Sequence, residues 1–279
     1  GFLVGGHRMF QEKERRKTWW TDDMQMFLNI FLILTPLWAY LFMSWAMAPQ
    51  ISCLPTQAMT RGVESFMPDE DFAWMQQCLE DHPLIGDQVL NPGIFSSTVG
   101  FFLAFNRAGI PDLRADPRFE CLVPFFDRAH SGDANAFVLN LLVCHKPTNE
   151  SDVVVDLHLD NSVGFWLKPT LSAILAHQVK VLYVSVPKDM SGGVLEVFAY
   201  NRGLPSNDEQ VLNNPDKRVK PEENKMIVFR GDSYHRVLGY TTKTSYPRTS
   251  LVLEEYKVQP WLYPFTRRFV FEEKAMPMI

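Results

Sequence analysis

The stretch Val153-Val-Val-Asp-Leu-His158-Leu-Asp160 decides how this chain is read. Three valines ahead of alternating polar positions read as a β-strand. Side chains of a strand alternate between its two faces, so His158 and Asp160 project from the same one. An imidazole and a carboxylate so placed at a strand end can take two adjacent positions around an octahedral metal. A third ligand is available in Phe229-Arg-Gly-Asp-Ser-Tyr-His235-Arg-Val, which reads as strand, turn and strand. Two histidines and one carboxylate leave coordination positions open for exchangeable ligands. Alone, His158-Leu-Asp160 is a weak signal for which a solvated turn is the safer reading. Arg248 and Ser250, two apart on a later strand, put a guanidinium and a hydroxyl on one further face.

Outward from that strand the pattern stays β. AFVLNLLVCH from Ala136, VKVLYVSVP, GGVLEVFAY, KMIVFR, SYHRVLGY and RTSLVLEEYKV are short runs rich in Val, Leu, Phe and Tyr, separated by turn residues. Such spacing predicts a mainly β domain, an antiparallel sandwich whose natural arrangement is the jelly roll, or double-stranded β-helix, over residues 136–258. Residues 49–135 read as a linker and a helical support region. Pro68-Asp-Glu-Asp opens one helix to about Asp81, with acids at the positive end of its dipole. A second helix is expected from Ser97 to Ala108, stopped by Gly109 and Pro111. Lys168 to His177 reads as a short crossing helix. Asn201 to Lys225 reads as a polar loop, long enough for a lid or a partner-binding insertion. Residues 259–279 read as a carboxy-terminal tail.

Taken in order, His158-x-Asp160, the Gly192-Gly193-Val-Leu-Glu-Val-Phe hairpin, Met226-Ile-Val-Phe229, His235-Arg-Val and Arg248-x-Ser250 resemble the iron(II)/2-oxoglutarate-dependent oxygenases. The likeness is to the prolyl-4-hydroxylase-like branch in particular, and it covers about Phe137 to Val258. It implies that His158, Asp160 and His235 bind Fe(II). It implies that Arg248 holds the distal carboxylate of the co-substrate 2-oxoglutarate through a bidentate pair, with Ser250 as a second donor. Many prolyl hydroxylases use Lys where Arg248 stands, so this residue does not secure the prolyl branch. A tyrosine often supports the co-substrate, and Tyr183 is the candidate; a core aromatic with a satisfied hydroxyl is the plainer role for it. Asp156 is read either as an acceptor orienting a ligand or as a strand-end ion-pair partner. The reaction implied is hydroxylation of a protein side chain or small molecule, consuming O2.

The second informative stretch is Met26 to Ala48, MFLNIFLILTPLWAYLFMSWAMA, which contains no charge. As a helix it would rise roughly 34 Å, enough for a hydrocarbon layer of about 30 Å. Asn29, Thr35 and Ser44 are tolerable there, Pro36 would kink the span, and Trp19, Trp20 and Trp45 suit the two interfaces. Ala46-Met47-Ala48 has a small-x-small cleavage pattern, but the apolar stretch exceeds a usual signal-peptide core. One transmembrane helix over 26–48, after a basic segment 1–25, is therefore expected. Arg8, Lys13, Arg15, Arg16 and Lys17 precede the stretch and only Arg61 follows closely. The positive-inside rule then puts the amino terminus on the cytosol-like, matrix or stromal side and the globular domain opposite, at the ER or an organelle inner membrane.

A net charge of −5 over 279 residues, with no basic stretch interleaved with aromatics, argues against a nucleic-acid partner. Cys53, Cys78, Cys121 and Cys144 lack metal-site spacing; their even number suits disulfides in an oxidising compartment, and buried thiols suit them as well. Asn149-Glu150-Ser151 is a glycosylation sequon of little weight. His82, His130, His145 and His177 have no partner at ligand spacing and read as ordinary hydrogen-bonded or surface residues. The main functional expectation is a membrane-anchored dioxygenase. Its alternative is an accessory subunit among other membrane-protein subunits, of respiratory or photosynthetic type, that keeps the oxygenase fold as a scaffold, since folds are reused without their chemistry.

Overall fold

The computed structural model describes residues 24–39, 42, 60–80, 82–86, 90, 98–144, 149–160, 174–198 and 212–272. The chain divides into two units, Gly1–Ala48 and Pro49–Ile279.

In the first unit, residues 24–39 and 42 are helical and exposed, with Phe27, Phe31, Ile33 and Trp38 among the exposed apolar side chains. The Thr35 hydroxyl donates to the Phe31 carbonyl one turn back. The continuous helical stretch rises about 24 Å, less than a hydrocarbon core of about 30 Å. No helix among the described residues is long and apolar enough to cross a membrane. The expected span is thus helical where it is described, and residues 40–41 and 43–48 lie outside the described residues.

The second unit runs β1 (Thr60–Val63), α1 (Asp69–Glu80), β2 (Thr98–Asn106), β3 (Ala136–Cys144), β4 (Val153–His158), β5 (Gln178–Ser185), β6 (Ser191–Gly192), β7 (Leu195–Phe198), β8 (Lys217–Val219), β9 (Met226–Arg230), β10 (Tyr234–Leu238), β11 (Tyr240–Thr241), β12 (Arg248–Tyr256) and β13 (Phe269–Glu272). A seven-stranded sheet has the order β1-β9-β5-β12-β3-β2-β13, and a four-stranded sheet the order β4-β10-β7-β8. The strand pairs are antiparallel, and the chain crosses between the two sheets from β3 to β4 to β5 and again from β8 to β9 to β10, as in a jelly roll.

Alternation along β3 shows how sequence becomes layers. Phe137, Leu139, Leu141 and Val143 join a cluster with Phe101, Phe119, Phe125 and Phe126, on the side covered by α1 and by the short helices Arg107–Gly109, Ile110–Ala115, Pro117–Leu122 and Val123–Ala129. Ala136 and Val138, on the other face, join Val154, Val155, Val181, Leu195 and Val197 between the two sheets. Burying each large side chain contributes roughly 1.5–3 kcal/mol. Because the large sheet is covered on both faces, β2 and β12 are buried at every position.

That double burial explains one departure from expectation. The helix expected from Ser97 to Ala108 is instead the strand Thr98–Asn106, buried at every position. A run apolar at all positions has no period to separate helix from strand. The strand lies so close to β3 that a Cβ at Gly100, where φ is +139°, would stand 1.9 Å from the Leu141 carbonyl oxygen. The expected tail also contributes a strand, with Phe269 opposite Phe105, and the polar loop contains β8. The expected helix near Pro68 is present as Asp69–Glu80. Residues 168–173 of the expected crossing helix and residues 201–211 of the loop lie outside the described residues.

Cys78 of α1 and Cys121 form a disulfide, with Cα atoms 5.7 Å apart. Cys144 is a buried thiol, and Cys53 lies outside the described residues. Both readings of the cysteines thus occur in one chain.

Candidate metal and co-substrate site

Strands β4 and β10 pair so that His158 stands directly opposite His235. Their ring centroids are 4.1 Å apart. Asp160 follows β4, and its carbonyl accepts the Ala176 amide at 3.0 Å, which anchors the residue beyond the strand end. One carboxylate oxygen lies 3.6 Å from His158 Nε2 and the other 3.4 Å from His235 Nε2. One ligand atom from each residue falls within 4.8 Å of the others.

The hydrogen bonds around the rings set their tautomers. His158 Nδ1 is 2.7 Å from the Asp156 carbonyl, and His235 Nδ1 is 3.2 Å from the Ser233 carbonyl. A carbonyl only accepts, so each Nδ1 carries a proton, which leaves Nε2 of each ring as the atom turned toward Asp160 and, in the neutral ring, as the free lone pair. Asp160 Oδ2 is buried with no hydrogen-bond partner, a costly state that a cation would relieve. The residues fit a divalent metal. Burial, reinforced by His158, lowers the His235 pKa to about 4, so it is neutral at pH 7. Burial also opposes ionisation of Asp160, but the two imidazoles outweigh it and hold its pKa below the ordinary value. For His158, burial works against the proton while the Asp160 hydrogen bond and charge prevail, leaving its pKa raised. The Asp156 side chain is exposed; its carbonyl, not its carboxylate, orients His158.

From the triad a cavity runs between the sheets to Arg248. Arg248, Ser250, Val252 and Glu254 line it from alternate positions of β12, as strand periodicity requires. Arg248 is buried, Nη1 donates to the Gly193 carbonyl at 3.2 Å, and Nε has no partner. Gly193 has φ +68°, and a Cβ there would lie 3.4 Å from Nη1 and 3.0 Å from the Met190 side chain. Tyr183 stands opposite Ser250 across the β5–β12 pair and also lines the cavity. Burial pushes its pKa up to about 12, although Arg248 pulls the other way, so its hydroxyl keeps its proton. A guanidinium, Ser250 and a protonated phenol gathered at one buried end fit a carboxylate. Leu142, Val155, Val181, Leu195 and Val237 form apolar walls.

The structure thus brings His158, Asp160 and His235 together and places Arg248, Ser250 and Tyr183 in the same cavity. Sequence reasoning passed over Asn140 and Glu254, which also line it. The signal for Glu254 was present, since it shares the strand face of Arg248 and Ser250; Asn140 needed the β3–β12 register, in which it faces Val252. The plain reading holds for two other histidines: His82 Nε2 bonds the Arg118 carbonyl, and His130 Nδ1 bonds the Phe126 carbonyl. Burial holds the His82 pKa below its ordinary value, with the Arg118 carbonyl opposing.

No protein-family model matches the chain, and no curated sequence matches it. Solved structures do. A prolyl-4-hydroxylase from Pseudomonas putida is similar at 16% identity with a TM-score of 0.39, over 72% of this chain and 94% of that one. An oxidoreductase of the 2OG-Fe(II) oxygenase family from Burkholderia pseudomallei is similar at 14% identity and TM-score 0.43, over 78% and 89%. A rice dioxygenase for auxin oxidation is similar at 14% identity and TM-score 0.44, over 77% and 82%. Structures of iron(II)/2-oxoglutarate oxygenases, a prolyl-4-hydroxylase among them, are thus among those this chain resembles, and the chain carries a His-x-Asp…His triad.

Proposed function

We propose that this chain is an iron(II)- and 2-oxoglutarate-dependent dioxygenase that hydroxylates a protein side chain or a small molecule. The observation that carries the reading is the convergence of two imidazole Nε2 atoms on a buried carboxylate with an unpartnered oxygen, in a cavity that also holds Arg248.

His158, Asp160 and His235 would hold Fe(II), and Arg248, Ser250 and Tyr183 would hold the far carboxylate of 2-oxoglutarate. The bound metal and co-substrate supply the oxygen chemistry. The chain's share is positioning. The Asp156 and Ser233 carbonyls keep both imidazoles aimed. Arg248 neutralises the carboxylate, and Tyr183 stays protonated as a donor at neutral pH. The apolar walls exclude water and strengthen both sets of polar contacts.

Calorimetry on the full chain without oxygen tests this directly. Iron(II) and 2-oxoglutarate should both bind, Asp160→Ala should abolish iron binding, and succinate should accumulate once air is admitted. A chain that binds no 2-oxoglutarate and forms no succinate would sink the proposal.

We further infer that residues 26–48 anchor the chain in the ER or an organelle inner membrane, with the amino terminus on the cytosol-like side. Support comes from the uncharged stretch, the basic cluster before it and the Cys78–Cys121 disulfide, which suits an oxidising compartment. Alkaline carbonate should leave the protein in the membrane pellet; release into the supernatant overturns the anchor.

A further inference from the structure

The cavity has two polar ends of opposite hydrogen-bonding character. Donors gather around Arg248, Ser250 and Tyr183. Acceptors gather at the other end, where Asn140 and Glu254 line the same cavity as the triad. Asn140 is 4% exposed and Glu254 1%. The Asn140 amide nitrogen donates to Glu254 Oε1 at 3.0 Å, and the Tyr256 hydroxyl donates to Glu254 Oε2. A carboxylate only accepts, so this bond fixes which way the Asn140 amide faces and leaves Oδ1 as its remaining polar atom. That Oδ1 is buried with no hydrogen-bond partner.

A buried amide oxygen without a donor is destabilising unless something supplies one. Within the fold the register offers no replacement: Asn140 stands opposite Phe102 on one side and Val252 on the other. The carboxylate, itself bonded by the phenol, orients the amide, which is how a recognition group is preorganised. Glu254 stands near the far end of β12, whose first residue is Arg248, so this acceptor group lies well away from the guanidinium. A co-substrate carboxylate suits the donor end and is repelled by Glu254.

We infer that Asn140 Oδ1, set in place by Glu254 and Tyr256, receives an N–H donor of the substrate, so that the substrate class is a nitrogen-bearing compound or side chain, an amine or an amide. This names the substrate of the oxygenase proposed above and rests on that reading for its catalytic meaning. The binding itself does not depend on iron. Asn140 is a specificity-determining residue, and Glu254 and Tyr256 are positioning residues behind it.

Ligand-observed NMR titration of the full chain, with neither iron nor 2-oxoglutarate added, tests the inference with four probes of matched length: n-pentylamine, pentanamide, methyl pentanoate and pentanoate. The amine and the amide should bind more tightly than methyl pentanoate, which has no N–H. Asn140→Leu, close in shape, should weaken both by about tenfold or more. Arg248→Met should abolish pentanoate binding and leave amine binding intact. Equal binding of all neutral and cationic probes to the wild-type chain, or no binding of amine and amide, overturns the inference without recourse to a variant that fails to fold. Unchanged amine and amide binding in a folded Asn140→Leu overturns it as well. Binding of 2-oxoglutarate with iron, measured on the same sample, reports separately on the oxygenase reading: its loss with amine binding retained removes the reaction and keeps the site.

Discussion

Arg248 illustrates how much one side chain carries when it is buried against a glycine. Its Nη1 meets the Gly193 carbonyl and its Nε meets nothing in the protein. A charge-assisted bond is worth roughly 1.5–3 kcal/mol. Arg248→Met should therefore weaken 2-oxoglutarate about 10- to 100-fold by calorimetry while iron(II) binding to the triad stays within about twofold. Spacing shows which of these residues share a strand face, His158 with Asp160 and Arg248 with Ser250, because strand periodicity is two; their roles come from the resemblance of the ordered motifs to the oxygenases. The acceptor pair was not legible in that way. Asn140 bonds Glu254 from a different strand, and no local pattern encodes register between strands so far apart in the chain.

At the scale of elements, β2 and β12 flank β3, and the close approach of β2 depends on Gly100. A methyl group at that position would overlap the Leu141 carbonyl and would sit at φ +139°. Gly100→Ala should cost of order 1–3 kcal/mol from backbone strain alone, before the clash is relieved. A thermal melt lowered by several degrees would show it, and a melt unchanged from wild type would refute the packing argument. The sequence pattern does not separate helix from strand here because Thr-Val-Gly-Phe-Phe-Leu-Ala-Phe-Asn is apolar on both faces. Only neighbours on both sides, a helical layer and a second sheet, make such a run a strand. By contrast α1 was readable in advance, since Pro68 and three acids mark its start whatever packs against it.

For the whole globular unit, the Cys78–Cys121 bond ties α1 to the helical layer across 43 residues of chain. Loop-closure entropy for that separation comes to about 4 kcal/mol. The double variant Cys78→Ser/Cys121→Ser should lose stability on that order in urea, and dithiothreitol should lower the wild-type midpoint but not that of the variant. Identical midpoints would mean that the layer is held by its Phe cluster alone. The two sheets are the larger contribution, because each apolar strand face is buried against the helices or against the opposite sheet.

By itself the sequence determined the pairing of His158 with Asp160 and of Arg248 with Ser250 on shared strand faces, the β character of residues 136–258 and an uncharged segment over residues 26–48. Each follows from local alternation, local charge or a continuous apolar run, which a single stretch of chain displays. Tertiary structure alone decided that residues 98–106 are a strand, that residues 269–272 close the sheet beside them, that Cys78 meets Cys121, and that Asn140 and Glu254 share a cavity with the triad. These depend on register and layer packing between segments far apart in the chain, and such contacts leave no periodic mark in either segment.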